Sequence, residues 1–338
     1  MHRIWALLLG LASILAAFGA DTPVTLFSAG STFIYPILSR WCSEYRKLHP
    51  NVLISYDPLG SSHGIARTLA GTVDFGASDG PLSDLQIQRA HMMIVHVPVV
   101  LGGVVPSYNL SSVTQELRFT PGALAGIYLG TITRWNDPEL VRANPGLPLP
   151  AHEITVVFRL DGSGTTYVWT DYLSKVNATW AKRVGRGTSV EFPVGVSARF
   201  NEGVRDAIKN KPYSIGYLQV TYAIEGHLQT GLVQNSTGKF AKGDIAGITA
   251  AAAATGTNMP DDFRVSITNA ADQDAYPISS FTWLLVPEHI EDRAKREAIV
   301  GFVRWVLSDG QKWAAPLHYA PLPGDVASRV QKAVDRIQ

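Results

Sequence analysis

Between residues 24 and 97, short runs rich in β-branched and aromatic residues alternate with amphipathic helical patterns, and this alternation restricts the fold more than any other feature. Strand-like runs cover 24–27, 52–56, 73–77 and 92–97, and helical periodicity covers 34–49, 65–70 and 84–90 between them. Strands separated by a helix pair in parallel, and the helices then cover the sheet. Beyond residue 108 the pattern loosens, with more Pro and Gly, through Gly126-Ile127-Tyr128-Leu129-Gly130 and Asn144-Pro145-Gly146-Leu147-Pro148. A second α/β lobe is expected to start there. A new apolar strand at 281–286 leads into a long amphipathic helix through Lys295, Ala298, Phe302, Trp305 and Val306, which can return to the first sheet. The expectation is an α/β chain of two lobes, each a mostly parallel sheet flanked by helices. Residues 21–106 plus 279–338 form the first lobe and 107–278 the second, and two crossover strands near 105–109 and 276–281 act as the hinge.

Residues 1–20 read as a secretory signal: His2 and Arg3 in front, an apolar core over 4–18, then Gly19 and Ala20. The mature chain is expected to begin near Asp21, exported and with no inserted membrane segment, since no later run reaches the ~18 apolar residues a spanning helix needs. Cys42 is the only cysteine, so no intrachain disulfide can form; its apolar-periodic neighbours Leu38, Trp41 and Tyr45 mark it as a buried structural thiol. With 29 Lys+Arg against 28 Asp+Glu the net charge is +1, which supplies no basic field for nucleic acid. Recognition of an anion must therefore be local. No His or Cys pair has metal-ligand spacing, and neither a metal nor a cofactor is expected.

Local anion chemistry is what three loops offer. Arg159-Leu160-Asp161-Gly162-Ser163-Gly164-Thr165-Thr166 lies between a strand-like run at 154–158 and a helical run at 167–176. Ser28-Ala29-Gly30-Ser31-Thr32-Phe33 and Gly60-Ser61-Ser62-His63-Gly64 have the same make. Each gathers hydroxyls and free backbone N–H groups at a helix start, where anions bind. Capping and tight turning explain any one of them alone. Strand ends of an open α/β sheet share one crevice, so the three are expected to converge on one ligand. Asp79, at the end of the 73–77 strand, would then stand among donors for an anion. It accepts a hydrogen bond only from a ligand that keeps a proton: phosphate does at neutral pH, and sulfate does not. Arg159 supplies a planar cation that Asp161 can orient. Alternatively, Asp79 only caps the Asp79-Gly80-Pro81 turn and Arg159 only makes a surface ion pair.

Gly60-Ser61-Ser62-His63-Gly64 also satisfies the G-x-S-x-G elbow of α/β-hydrolases, which would make Ser62 a nucleophile with Asp171 and His227 as partners. The loop follows only the second strand, however, and the other hydroxyl-rich loops have no task in such an enzyme. No catalytic residue is assigned.

In order and spacing, these segments resemble the periplasmic phosphate-binding proteins that feed bacterial ABC phosphate transporters. The likeness runs through Gly30-Ser31-Thr32-Phe33, Gly60-Ser61-Ser62, Thr72-Val73-Asp74-Phe75-Gly76-Ala77-Ser78-Asp79, Gly102-Gly103-Val104-Val105, Ile127-Tyr128-Leu129-Gly130, Trp135-Asn136-Asp137, Asp161-Gly162-Ser163-Gly164-Thr165, Ile215-Gly216-Tyr217 and Tyr319-Ala320-Pro321-Leu322-Pro323. The resemblance implies the two-lobed periplasmic-binding-protein fold closing on inorganic phosphate. Thr32 and Phe33, Ser61, Arg159, Ser163, Gly164 and Thr165 would donate, Asp79 would be the acceptor, and Asp161 would support Arg159. It further implies a monomeric, non-enzymatic periplasmic receptor that delivers its ligand to an inner-membrane ABC permease; the same site could instead serve sensing or scavenging. His63 stands where the family usually has Gly, and it either borders the site, making affinity pH-dependent, or faces solvent. Ser197-Ala198-Arg199-Phe200-Asn201-Glu202-Gly203 is bulkier than the Gly-rich equivalent, so contacts from that loop stay open.

Overall fold

One strand, Ile94–Tyr108, carries the architecture: it runs for 15 residues and is buried at nearly every position. Burial on both faces is why its sequence is an almost unbroken apolar run rather than an alternating one. In the computed structural model, which describes residues 23–255 and 259–338, this strand is shared by the two halves of a single nine-stranded sheet. The expected signal segment at 1–20 lies outside the described residues.

Along the sheet the order is Val52–Asp57, Val24–Gly30, Phe75–Ser78, Ser279–Pro287, Ile94–Tyr108, Ser214–Gln219, Thr155–Arg159 and Val196–Ala198, with Gln229–Thr230 pairing beside Ile94–Tyr108. Both flanks are parallel, as the strand–helix alternation predicts. The centre is antiparallel. Ser279–Pro287 runs against Phe75–Ser78 and Ile94–Tyr108, and residues 104–108 run against Ser214–Gln219. The chain crosses between halves in opposite directions and its crossing segments lie side by side, with the Val104 N–H donating to the Ile278 carbonyl at 2.9 Å. Each lobe thus has the mostly parallel sheet expected of it, and the crossover strand Ile94–Tyr108 joins the two edge to edge. Pro98, which cannot donate to a ladder, sits opposite the register shift at Thr282/Trp283. A small second sheet joins Phe240–Ala241, Leu232–Gln234 and Arg118–Phe119.

Two helices begin earlier than the apolar periodicity suggests. Ser61–Leu69 starts four residues before its expected first position, and Gly164–Val176 three before. The hydroxyl residues read as loop are thus first-turn residues, whose N–H groups have no acceptor within their own helix. Helix Pro121–Leu129 replaces the loose stretch around Tyr128; every residue from Ala123 to Leu129 is buried, so no amphipathic stripe betrays it. Five Trp side chains, at 41, 135, 169, 180 and 283, are fully buried in the core. Cys42 is half-buried, and burial pushes its thiol up to about 12, which fits an inert packing role. Among the described residues, no helix is long and apolar enough to cross a membrane.

Candidate functional site

Every parallel strand ends, at its carboxyl end, within a few residues of the cleft between the lobes, the edge strand Val196–Ala198 through the helix Phe200–Asn210 that follows it. Val24–Gly30 delivers Ser31, Thr32 and Phe33; Val52–Asp57 delivers Ser61; Phe75–Ser78 delivers Asp79; Thr155–Arg159 delivers Arg159, Asp161 and the 163–165 turn. This convergence follows from the parallel topology.

Asp79 forms one wall. It is fully buried, and its carboxylate accepts from Ser31 Oγ (2.5 Å) and Ser61 Oγ (3.4 Å) on Oδ2 and from Thr282 Oγ1 (2.7 Å) on Oδ1. Burial pushes its pKa up to about 6, held from rising further by these hydroxyls and the charge of Arg159. The Gly80 N–H of the following turn is taken by Ser78 Oγ, so Asp79 is not the turn's cap. Three consecutive carbonyls of the neighbouring loop are tied by tyrosines: Tyr56 donates to Ser31 (2.7 Å), Tyr222 to Thr32 (2.6 Å) and Tyr319 to Phe33 (2.5 Å). With its carbonyls engaged, that loop has donors left to offer.

Arg159 forms the opposite wall and is 4% exposed. Its Nε donates to Asp161 Oδ1 at 2.9 Å and an Nη to Asp161 Oδ2, completing a fork-on-carboxylate pair. The other contacts are Nη1 to Thr165 Oγ1 (3.2 Å) and Nη2 to Thr32 Oγ1 (3.3 Å). Burial alone would raise the Asp161 carboxyl, but the Arg159 hydrogen bonds and charge and the Phe200 N–H (2.8 Å) outweigh it and hold it below the usual range. The guanidinium is thereby locked and its charge balanced. The side chain of Ser163 caps its helix by accepting from the Thr166 N–H (3.2 Å), leaving the N–H groups of Gly164 and Thr165 at the two following first-turn positions.

Gly164 lets the walls meet. A Cβ at this position would fall 2.3 Å from Asp79 Oδ2 and 2.4 Å from Ser61 Oγ, so only a hydrogen fits there. Close by, the Ser62 N–H donates to the Gly162 carbonyl (3.1 Å) and Ser62 Oγ to Thr188 Oγ1 (2.9 Å). The cleft is closed by direct contact between loops of opposite lobes.

The structure brings together Thr32, Ser61, Asp79, Arg159, Asp161, Ser163, Gly164 and Thr165. Phe33 adjoins them, with its N–H donating to Ser31 Oγ at 2.9 Å. Ser62 bonds to Thr188 rather than to a base, and Asp171 is engaged by Arg186, Lys175, Ser266 and Thr268. His63 is solvent-exposed on the first helical turn. Three participants escaped the sequence reading. Ser31 stands beside the expected donors; Thr282 comes from the antiparallel return strand, 203 residues from Asp79. Asn201 is fully buried, and its Nδ2 donates to Thr32 Oγ1 (2.8 Å) and Thr165 Oγ1 (3.4 Å). No local motif announces either of the last two.

A fixed cation, hydroxyls and helix-start amides facing one buried acceptor can surround a small oxyanion that carries a proton. Residues 17–310 match the model of the PBP superfamily domain. Phosphate-binding protein PstS of Xylella fastidiosa (strain Temecula1) is 40% identical over 309 residues, spanning 91% of this chain and 84% of that protein. The chain belongs to the PstS family of the PBP superfamily. PstS of Pasteurella multocida is 36% identical, covering 95% of this chain and 93% of the relative. A high-affinity periplasmic phosphate-binding protein, PfluDING, solved with phosphate bound, superposes with a TM-score of 0.74 at 19% identity, covering 91% of this chain and 93% of that one. A phosphate ABC transporter substrate-binding protein from Clostridium perfringens gives a TM-score of 0.65 at 17% identity, over 89% of this chain and all of that one. The two-lobed fold is thus that of the binding proteins, and the chain is a binding protein rather than a serine hydrolase.

Proposed function

We propose that this chain is an exported receptor that captures inorganic phosphate in the interlobe cleft and delivers it to an ABC permease. The observation that carries the reading is the pairing of one buried acceptor, Asp79, with a buried donor set built on Arg159. Thr32, Phe33, Ser61, Ser163, Gly164 and Thr165 complete the phosphate-binding group, with Asp161 supporting Arg159. A protonated oxygen of the ligand donates to Asp79, and its ionised oxygens accept from the rest. Affinity then comes from many preorganised hydrogen bonds rather than from net charge. Family membership supports the permease as partner and the periplasm, reached through the segment at 1–20, as the location. The two moving bodies are 21–106 with 279–338, and 107–278.

Calorimetric titration of the mature protein with phosphate and with sulfate at pH 7.5 tests the reading. Tight phosphate binding with sulfate excluded is expected; phosphate binding no tighter than chloride would end it.

A further inference from the structure

We propose that Asn201 is a positioning residue for the anion site, turning the hydroxyls of Thr32 and Thr165 into fixed donors; this rests on the reading of the cleft as a phosphate site. A threonine hydroxyl offers one O–H and two lone pairs. Thr32 Oγ1 accepts from Asn201 Nδ2 at 2.8 Å and from Arg159 Nη2 at 3.3 Å. Thr165 Oγ1 accepts from Arg159 Nη1 at 3.2 Å and from Asn201 Nδ2 at 3.4 Å. Guanidinium and amide nitrogens only donate, so both lone pairs of each oxygen are filled. All that either hydroxyl has left to give is its proton, and an ionised ligand oxygen is the acceptor that takes it.

The amide cannot flip out of this role. Its Oδ1 accepts from the Gln219 N–H at 3.1 Å, which fixes which end of the side chain faces the threonines. Its backbone is held as well. Phe200, the residue before it, has φ +62°, a left-handed conformation that a bulky side chain adopts only under constraint, and its N–H is anchored on Asp161 Oδ1 at 2.8 Å. Asp161 therefore holds both members of the donor pair, Arg159 by its side chain and Asn201 through the strained neighbour. The bulk of this loop, which the sequence leaves without a task, is what carries the amide into the cleft.

A double-mutant cycle on the mature chain tests the assignment, with inorganic phosphate as titrant. Asn201→Ala is expected to weaken phosphate binding roughly 10- to 100-fold in the parent, because the freed hydroxyls can turn their protons elsewhere. In a Thr32→Val background the same change should cost less than half as much on a logarithmic scale. Equal losses in the two backgrounds, or no loss in the parent, would overturn it. Should Asn201→Ala not fold, Asn201→Asp keeps the acceptor for Gln219 and reverses only the end that faces the threonines. Its affinity relative to the parent should recover as pH falls from 8 to 5 and the acid regains a donor proton; a constant ratio would overturn the assignment. A parent protein that binds no phosphate would instead sink the underlying reading of the site.

Discussion

The two walls of the cleft are equally dry and opposite in hydrogen-bond polarity. On the Asp79 side the buried carboxylate collects three hydroxyl donors, and among the described residues no cation pairs directly with it. On the Arg159 side the buried cation is matched by its own carboxylate, Asp161, and everything around it points donors inward. One cation stands against two carboxylates, so net charge draws no anion into the cleft, and the difference teaches that selectivity resides in where protons sit. A site built on net charge could hardly tell sulfate from the phosphate dianion, which carries the same charge; one built on polarity asks the ligand for a proton on one side only.

Breaking the donor wall should have the largest effect. Arg159→Ala removes the fork and leaves Asp161 buried without its cation, so phosphate affinity is expected to fall on the order of 1,000-fold, with stability lowered by about 3–5 kcal/mol. Calorimetry and denaturant unfolding read the two separately. Adding Asp161→Asn should restore much of the stability and none of the affinity, which shows that charge balance and ligand contact are separable duties of the pair.

Inverting the acceptor wall comes next. Asp79→Asn replaces an acceptor by a group that can also donate, so sulfate should gain roughly 10- to 100-fold in affinity while phosphate loses. The parent should imitate the variant in acid: as pH drops through about 6, Asp79 takes up a proton and sulfate binding should rise, whereas the Asn variant should show no such titration. Sulfate affinities from pH 5 to 8 check this, and a flat profile in the parent removes Asp79 as the selector.

The same carboxylate makes the stability of the closed fold pH-sensitive. Its folded value of about 6 lies above the ordinary 3.8, so the native state holds the proton more tightly than the unfolded chain does. Stability contributed by the protonated form is therefore present below pH 4 and lost as pH rises through 6, amounting to about 3 kcal/mol. Ligand-free Asp79→Asn should lack that loss, so its advantage over the parent in urea unfolding should grow between pH 4 and 6 and level off above.

How much of this was legible beforehand depends on whether a residue's partners are local. Arg159 and Asp161 are two apart, and the hydroxyl-rich turns sit where strand meets helix, so the parallel grammar alone sends them to one crevice. Asp79 was readable because a carboxylate at a donor-rich strand end demands an explanation. Thr282 and Asn201 were not, since each earns its place through contacts that only the antiparallel centre of the sheet and the strained turn at Phe200 create. The helix Pro121–Leu129 was hidden for the opposite reason: buried all round, it has no periodicity to read.

The smallest expected effect concerns how the walls are held together. Among the described residues, the Ser62 hydroxyl makes no hydrogen bond to Asp79, Arg159 or their partners; it donates across to Thr188 Oγ1 at 2.9 Å while its N–H meets the Gly162 carbonyl at 3.1 Å. Ser62→Ala deletes one hydroxyl bond of the closed state and keeps the backbone one, a loss of about 1 kcal/mol that the open state does not share. Release should quicken roughly fivefold, with capture unchanged and selectivity between phosphate and sulfate intact. Stopped-flow tryptophan fluorescence resolves the two rates. A change in selectivity would mean that Ser62 belongs to a wall after all, whereas a change in release alone separates the strength of closure from the polarity that decides what is enclosed.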